Sequence, residues 1–144
     1  MSSFIYLASP YHDPDEHIIS QRYHEVLDAT HYLLARKFWC YSPIVHCHEL
    51  ARLYNLPRDH AYWYSYNLAM LRGSDSLMVL QLPGWDKSRG VAGEIDYAFE
   101  LGIPIRSLRA VSDGYAFDWS FEKELANARN KSLTRAGDSA SQSQ

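Results

Sequence analysis

The stretch GSDSLMVLQLPGWDKSRGVAGEIDYAFELGIP, residues 73–104, sets the architecture expected of this chain. Its apolar run, Leu77 to Leu82, has the length and content of a buried strand. The run enters a glycine-bearing turn, and a helix follows that starts at Ser88 or Gly90 and ends at Gly102. The second turn of that helix carries a carboxylate, Glu94. A strand–turn–helix of this kind gathers backbone N–H groups, the positive end of a helix dipole and an acid in one place.

Outward from this unit the same alternation continues. Phe4 to Ala8 is a short apolar run broken by Ser9-Pro10-Tyr11, and it reads as a buried first strand. Asp13-Pro14-Asp15-Glu16 is a helix start. The helix it opens is expected to reach Lys37, with Ile18, Ile19, Tyr23, Val26, Leu27, Thr30, Leu33 and Leu34 on its apolar face. A second strand is expected within Phe38 to Val45, a short helix over His46 to Tyr54, and a third helix from Tyr62 to Leu71 behind an Asp59 cap. After Gly102, Ile103 to Leu108 reads as a fourth strand, 109–118 as a loop, and Trp119 to Asn130 as a last helix. The expected domain is therefore 1–130, followed by a disordered polar tail over 131–144. Strands alternating with helices imply an α/β fold, a mostly parallel sheet of four to five strands with helices on both faces. In such sheets ligands sit outside the carboxyl ends of the strands. That rule selects Ala8 to His12, Val45 to His48, Leu82 to Glu94, and Ser107 onward.

Composition narrows the function classes. The 144 residues suffice for one core, being 47% apolar and 14% aromatic. A net charge of −3 without a basic stripe argues against a nucleic acid polymer as partner. No apolar run approaches the roughly 20 residues of a membrane span. The opening MSSFIYLASPYHDPDE does not read as a secretory signal, and two cysteines make no disulfide framework, so a cytoplasmic location is expected. Eleven tyrosines and four tryptophans exceed what a small core needs, and some are expected at a pocket or subunit interface.

Each candidate site residue also has an ordinary structural reading. Gly90 and Gly93 flank Glu94, so a ligand could approach the backbone closely; alternatively, Glu94 is only an acid favoured by the helix dipole. Ser88, Arg89 and the following N–H groups suit a phosphate, or Ser88 is a plain helix cap. Asp75 reads as a turn residue at the amino end of its strand. His17, His24 and His31 share a helix face, but successive ones lie on the order of 10 Å apart, too far to share a metal. Cys40, His46, Cys47 and His48 lack the spacing of a zinc knuckle or finger, while His46 alone is placed to face a ligand. Neither G-x-G-x-x-G, a P-loop nor G-x-S-x-G is present. Nothing in the sequence calls for a metal or an organic cofactor.

With these residues in view, the chain resembles the nucleoside 2-deoxyribosyltransferase superfamily over roughly residues 4–108. The resemblance rests on IYLASP (5–10), on SDSLMVL (74–80) leading to GWDKSRGVAGEIDYAFELGIPI (84–105), and on their spacing. It implies a flavodoxin/Rossmann-like single-domain sandwich acting on a small nucleotide or nucleoside, assembled as a homodimer or homotetramer. It also implies hydrolysis of the N-glycosidic bond of a (deoxy)nucleoside 5′-monophosphate through a glutamate nucleophile. Base exchange between nucleosides and a non-catalytic nucleotide-sensing domain are the alternatives. Glu94 matches the nucleophile, Tyr6 the aromatic beside it, and Ser88 with Ser9 the phosphate-binding positions. Asn67 stands where the family carries an aspartate that assists the leaving base, and it has no useful acidity. The resemblance therefore leaves the proton donor open, with His46 and His60 as candidates.

Overall fold

The computed structural model describes residues 3–142, with side-chain surroundings through residue 135. Five strands form one sheet in the order β2-β1-β3-β4-β5. They are β1 (Ile5–Ala8), β2 (Cys40–Tyr41), β3 (Ser76–Leu80), β4 (Ile105–Val111) and β5 (Gly114–Asp118). The first four run parallel, and β5 pairs antiparallel with β4. This is the doubly wound, flavodoxin-type arrangement, in which the chain leaves β1 toward β2 on one side and returns to β3 on the other.

Alternate strand residues supply two cores. Tyr6 and Ala8 of β1, Leu77 and Val79 of β3, and Ile105 of β4 pack on one face against α3 (His60–Arg72), α4 (Arg89–Leu101) and α5 (Phe121–Gln142). Leu7, Met78, Leu80 and Leu108 pack on the other against α1 (Glu16–Ala35) and α2 (Pro43–Tyr54). Burial on both sides explains why β1 and β3 read as unbroken apolar runs rather than as alternations.

Several boundaries differ from the sequence reading, each for a local reason. The expected strand over Phe38 to Val45 is only Cys40–Tyr41, because Ser42 caps α2 by accepting from the Val45 N–H, with Pro43 in the first turn. The first helix stops at Ala35, and Lys37 follows with φ 62°. Its buried face is Ile19, Val26, Ala29, Thr30 and Leu33, while Leu27 and Leu34 are exposed. Residues 109–118 are not a loop. They complete β4 and form β5, joined through Ser112-Asp113. Asp-Gly between apolar alternations is a hairpin signal. Gly114 there has φ +131°, and a methyl group on it would meet Tyr32 Cε2 at 2.9 Å.

The last helix also continues past Asn130. Of the expected disordered tail 131–144, residues 131–142 are helical, and 143–144 lie outside the described residues. Buried Phe121, with Leu125 packed against the same core, anchors the start of α5. Extending an anchored helix adds a hydrogen bond for each residue fixed, without a second nucleation cost.

Candidate active site

The strand order places a crevice between the carboxyl ends of β1 and β3. A pocket of about 430 Å³ opens there, within the roughly 300–1,000 Å³ range of small-molecule sites. The β1–α1 link contributes Ser9, Tyr11 and His12, and the β3–α4 unit contributes Lys87, Ser88, Arg89, Gly90 and Glu94. The far wall comes from the crossover between β2 and β3. It consists of Ile44, Cys47, His48 and Ala51 on α2, Arg58 and Asp59 on the link, and His60, Trp63, Tyr64 and Asn67 on α3.

The two strand-end loops are tied together by Arg22 of α1. Its guanidinium donates to the carbonyls of Tyr11 (3.3 Å) and His12 (2.9 Å) in the first loop and of Pro83 (3.4 Å) in the second. Gly84 makes this approach possible. Its φ is +91°, and an added methyl would lie 2.8 Å from Arg22 Nη2.

Glu94 is 8% exposed, and its Oε2 has no hydrogen-bond partner. Burial pushes its carboxyl up to about 7, a rise that the Tyr6 hydroxyl partly opposes. Tyr6 lies close enough to favour the charged carboxylate, yet its Oη has no partner within hydrogen-bonding distance either. Burial, with Glu94 nearby, holds the Tyr6 phenol far above its ordinary range, so Tyr6 stays protonated and can only donate to an ionised Glu94. Ser9 Oγ and Asn67 Oδ1 are likewise buried without partners. Buried polar atoms are nearly always paired. Here Ser9, Asn67 and Glu94 line one pocket, and Tyr6 stands beside Glu94.

The remaining expected residues divide. Ser88 caps α4, accepting from the Val91 N–H at 3.3 Å, and it also lines the pocket with Arg89 and Gly90. The cap reading is therefore borne out, and the pocket position leaves the hydroxyl where a ligand could meet it. Gly93 does not line the pocket, and a methyl on it would meet nothing within 4 Å. His46 is a correction. It is exposed, outside the pocket, and aligned with Tyr66 at 5.9 Å between rings. Because α2 begins at Pro43, residues 44, 47, 48 and 51 share the pocket face, and residue 46 points away from it. His60 does line the pocket, Asp75 is exposed outside it, and His17, His24 and His31 all face solvent.

Sequence reasoning did not single out Tyr11 or Arg58 as site residues, and it weighed His48 only within a strand-end group and a rejected zinc set; Trp63 also lines the pocket. Tyr11 Oη and His48 Nδ1 share a hydrogen bond of 2.6 Å. Arg58 forms a two-point ion pair with Glu16, at 2.9 and 3.3 Å, across the mouth of the pocket. Trp63 is fixed by donating from Nε1 to the Pro57 carbonyl at 2.7 Å. Cys47 is no nucleophile, since burial pushes its thiol up to about 11. Among the described residues, no cluster of three or more His, Cys, Asp or Glu is placed to hold a metal ion. No helix among them is long and apolar enough to cross a membrane.

Fold and site together define a doubly wound α/β domain with a buried, unpartnered carboxylate at its switch point. The chain belongs to the family described as Domain of unknown function (DUF1937), whose model matches residues 3–109. That span contains every residue lining the pocket and ends within β4. No curated protein matches the chain.

Proposed function

We propose that this protein hydrolyses the N-glycosidic bond of a (deoxy)nucleoside 5′-monophosphate, with Glu94 as nucleophile. The observation that carries the reading is the buried Glu94 carboxylate without a partner, facing a pocket in which Ser9 and Asn67 also present unpaired polar atoms. Burial without a partner raises the free energy of the carboxylate and makes it reactive toward an anomeric carbon. The Glu94 oxygen bonds to that carbon as the glycosidic bond breaks, and the base leaves with a proton. Water then cleaves the glycosyl ester and regenerates the carboxylate.

The starts of α3 and α4 supply an anion-binding end. His60, Lys87 and Arg89 line the pocket there, beside the Ser88 hydroxyl and the first N–H groups of α4. A 5′-phosphate at this end leaves the anomeric carbon for Glu94. The exposed aromatics of α3, Tyr62, Tyr64 and Tyr66, are the surface proposed for a homodimer or homotetramer, to be measured by sedimentation.

The test is base release, followed by chromatography, from a panel of ribo- and deoxyribonucleoside monophosphates beside the matching nucleosides. Release from monophosphates that disappears in a folded Glu94→Ala variant supports the reading, and full activity in that variant refutes it. The amide at Asn67 favours a second reading, a nucleotide-binding domain without turnover. Saturable nucleotide binding with no base release, even with an added acceptor base, selects it.

A further inference from the structure

Cleavage at Glu94 leaves one requirement unmet. The departing base needs a proton, and the pocket has no second buried carboxyl to give one: Asn67 is an amide, and Asp59 is exposed. The side of the pocket formed by the β1–α1 link and α2 contains a different pair. Tyr11 Oη lies 2.6 Å from His48 Nδ1, and both residues line the pocket. The imidazole is locked in place. Tyr23 of α1 stacks on it at 4.0 Å between centroids and 16° between planes, and the Tyr11 ring meets it edge-on at 5.7 Å. This is more constraint than a side chain filling space receives, and it fixes the direction of the hydrogen bond.

We propose that Tyr11 donates the proton to the leaving base and that His48 recharges it, so that the two act as a relay; the inference rests on the glycosidase reading above. In the neutral tautomer with its proton on Nε2, the Tyr11 hydroxyl is spent donating to Nδ1. In the imidazolium, Nδ1–H donates to Tyr11 Oη instead, and the Tyr11 O–H is free to point at the substrate. Protonation of His48 thus reverses the bond and arms Tyr11. As the C–N bond breaks, its electron pair goes to the base nitrogen, which takes the Tyr11 proton. Tyr11 Oη takes the Nδ1 proton, and His48 is left neutral. Once the products leave, a solvent proton enters at Tyr11 Oη from the open pocket as the Tyr11 proton passes back to Nδ1, while Nε2 keeps its own proton, 3.9 Å from Glu49 Oε1. Tyr11 is the catalytic residue of the pair, and His48 and Tyr23 position and supply it.

The groups facing His48 are Glu49 and Arg52 from its own helix, His24 from α1, and Arg58 from the link before α3. Burial, with the nearby cations, lowers the His48 pKa from its ordinary value in the free protein. A bound phosphate dianion opposes that effect, so substrate binding itself favours the armed state.

The experiment separates proton donation from all other roles by changing the leaving group. Wild type, Tyr11→Phe, His48→Gln and Glu94→Ala are assayed on two substrates with the same sugar phosphate. One carries the natural base that wild type releases best. The other carries 3-carbamoylpyridinium, which departs neutral without taking a proton. Expected is a loss of about 100-fold or more in kcat for both Tyr11→Phe and His48→Gln on the natural base, shrinking to within about threefold on the pyridinium. Equal losses on both substrates, or no loss on either, overturn the relay while Glu94 dependence keeps the glycosidase reading intact. Wild-type cleavage of the pyridinium substrate alone also overturns the relay, since no group then protonates a base. Cleavage of neither substrate, or undiminished cleavage by Glu94→Ala, overturns the glycosidase reading and the relay with it.

Discussion

Replacing Glu94 by glutamine should stabilise the protein, by an amount that grows as pH rises from about 4.5 to about 7. The carboxyl titrates near 7 in the folded chain against 4.5 when free in water, because burial penalises its charge. A group raised in this way binds its proton more tightly when folded. Between these two values the folded state therefore holds more protons than the unfolded state, and stability falls as pH rises. The loss begins near pH 4.5 and is complete above pH 7, with a magnitude of about 3 kcal/mol for a displacement of this size. Glu94→Gln preserves the side-chain shape and removes the charge. At pH 4 the variant should match wild type to within about 1 kcal/mol, the scale of one altered hydrogen bond. At pH 8 it should be more stable by about 2–3 kcal/mol, a rise in Tm of several degrees for a chain of this length. Urea unfolding of both proteins across pH 4–8 measures the difference directly. A pH-independent gap, or a variant less stable than wild type at pH 8, would refute the claim that the folded protein bears the strain of a buried charge.

Three further outcomes follow from the same geometry. On the pyridinium substrate, whose leaving group takes no proton, kcat/KM should rise as pH increases through about 7, where Glu94 ionises, and a rate on that substrate that falls or stays flat from pH 6 to 8 would contradict its role as nucleophile. Ser88→Ala should raise KM for a monophosphate far more than for the matching nucleoside, and should cost about 1 kcal/mol of stability through the lost α4 cap; an equal effect on both substrates would remove the phosphate assignment. Arg22→Ala removes the donor shared by the Tyr11, His12 and Pro83 carbonyls, so it should cost about 1–2 kcal/mol in urea unfolding and raise KM more than it lowers kcat; an unchanged KM would show that the two loops hold their places without it.

The parts of this fold that were legible in the sequence are those specified within a few neighbouring residues. Strands β1 and β3 announce themselves as apolar runs because they are buried on both faces, and α4 is bounded by Ser88 and Gly102, which do cap it. Failures occurred where a residue pattern had two physical meanings. Ser42-Pro43 looks like a strand continuing into a turn, but serine before proline is also a helix start, and the helix won. Residues 103–118 read as a strand to Leu108 and then a loop because Arg109 and Ser112-Asp113 break the apolar run. The Asp113-Gly114 hairpin carries the strands beyond the covered part of the sheet, where side chains need not be apolar.

The misplaced start of α2 also explains the largest error in the site. Reading Phe38 to Val45 as containing a strand puts His46 at a strand end and makes it the natural ligand-facing histidine. Starting the helix at Pro43 turns that position outward and brings His48, four residues after Ile44, onto the pocket wall. Ser9, Ser88 and Glu94 were placed at the pocket correctly because Ser9 directly follows β1 and the other two open the helix that follows β3, where the rule about strand ends needs no knowledge of the rest of the chain. The opposite wall comes from a crossover of two helices, and its composition depends on their rotation, which no local motif records. That wall matters chemically. Glycosidases built on paired carboxylates divide the work between one acid and one nucleophile of the same chemical type. This pocket has a single buried carboxylate. Under the proposed glycosidase reading, the proton donor is sought on the crossover wall and the β1–α1 link facing it. The Tyr11–His48 pair occupies that position, held by the Tyr23 ring on α1.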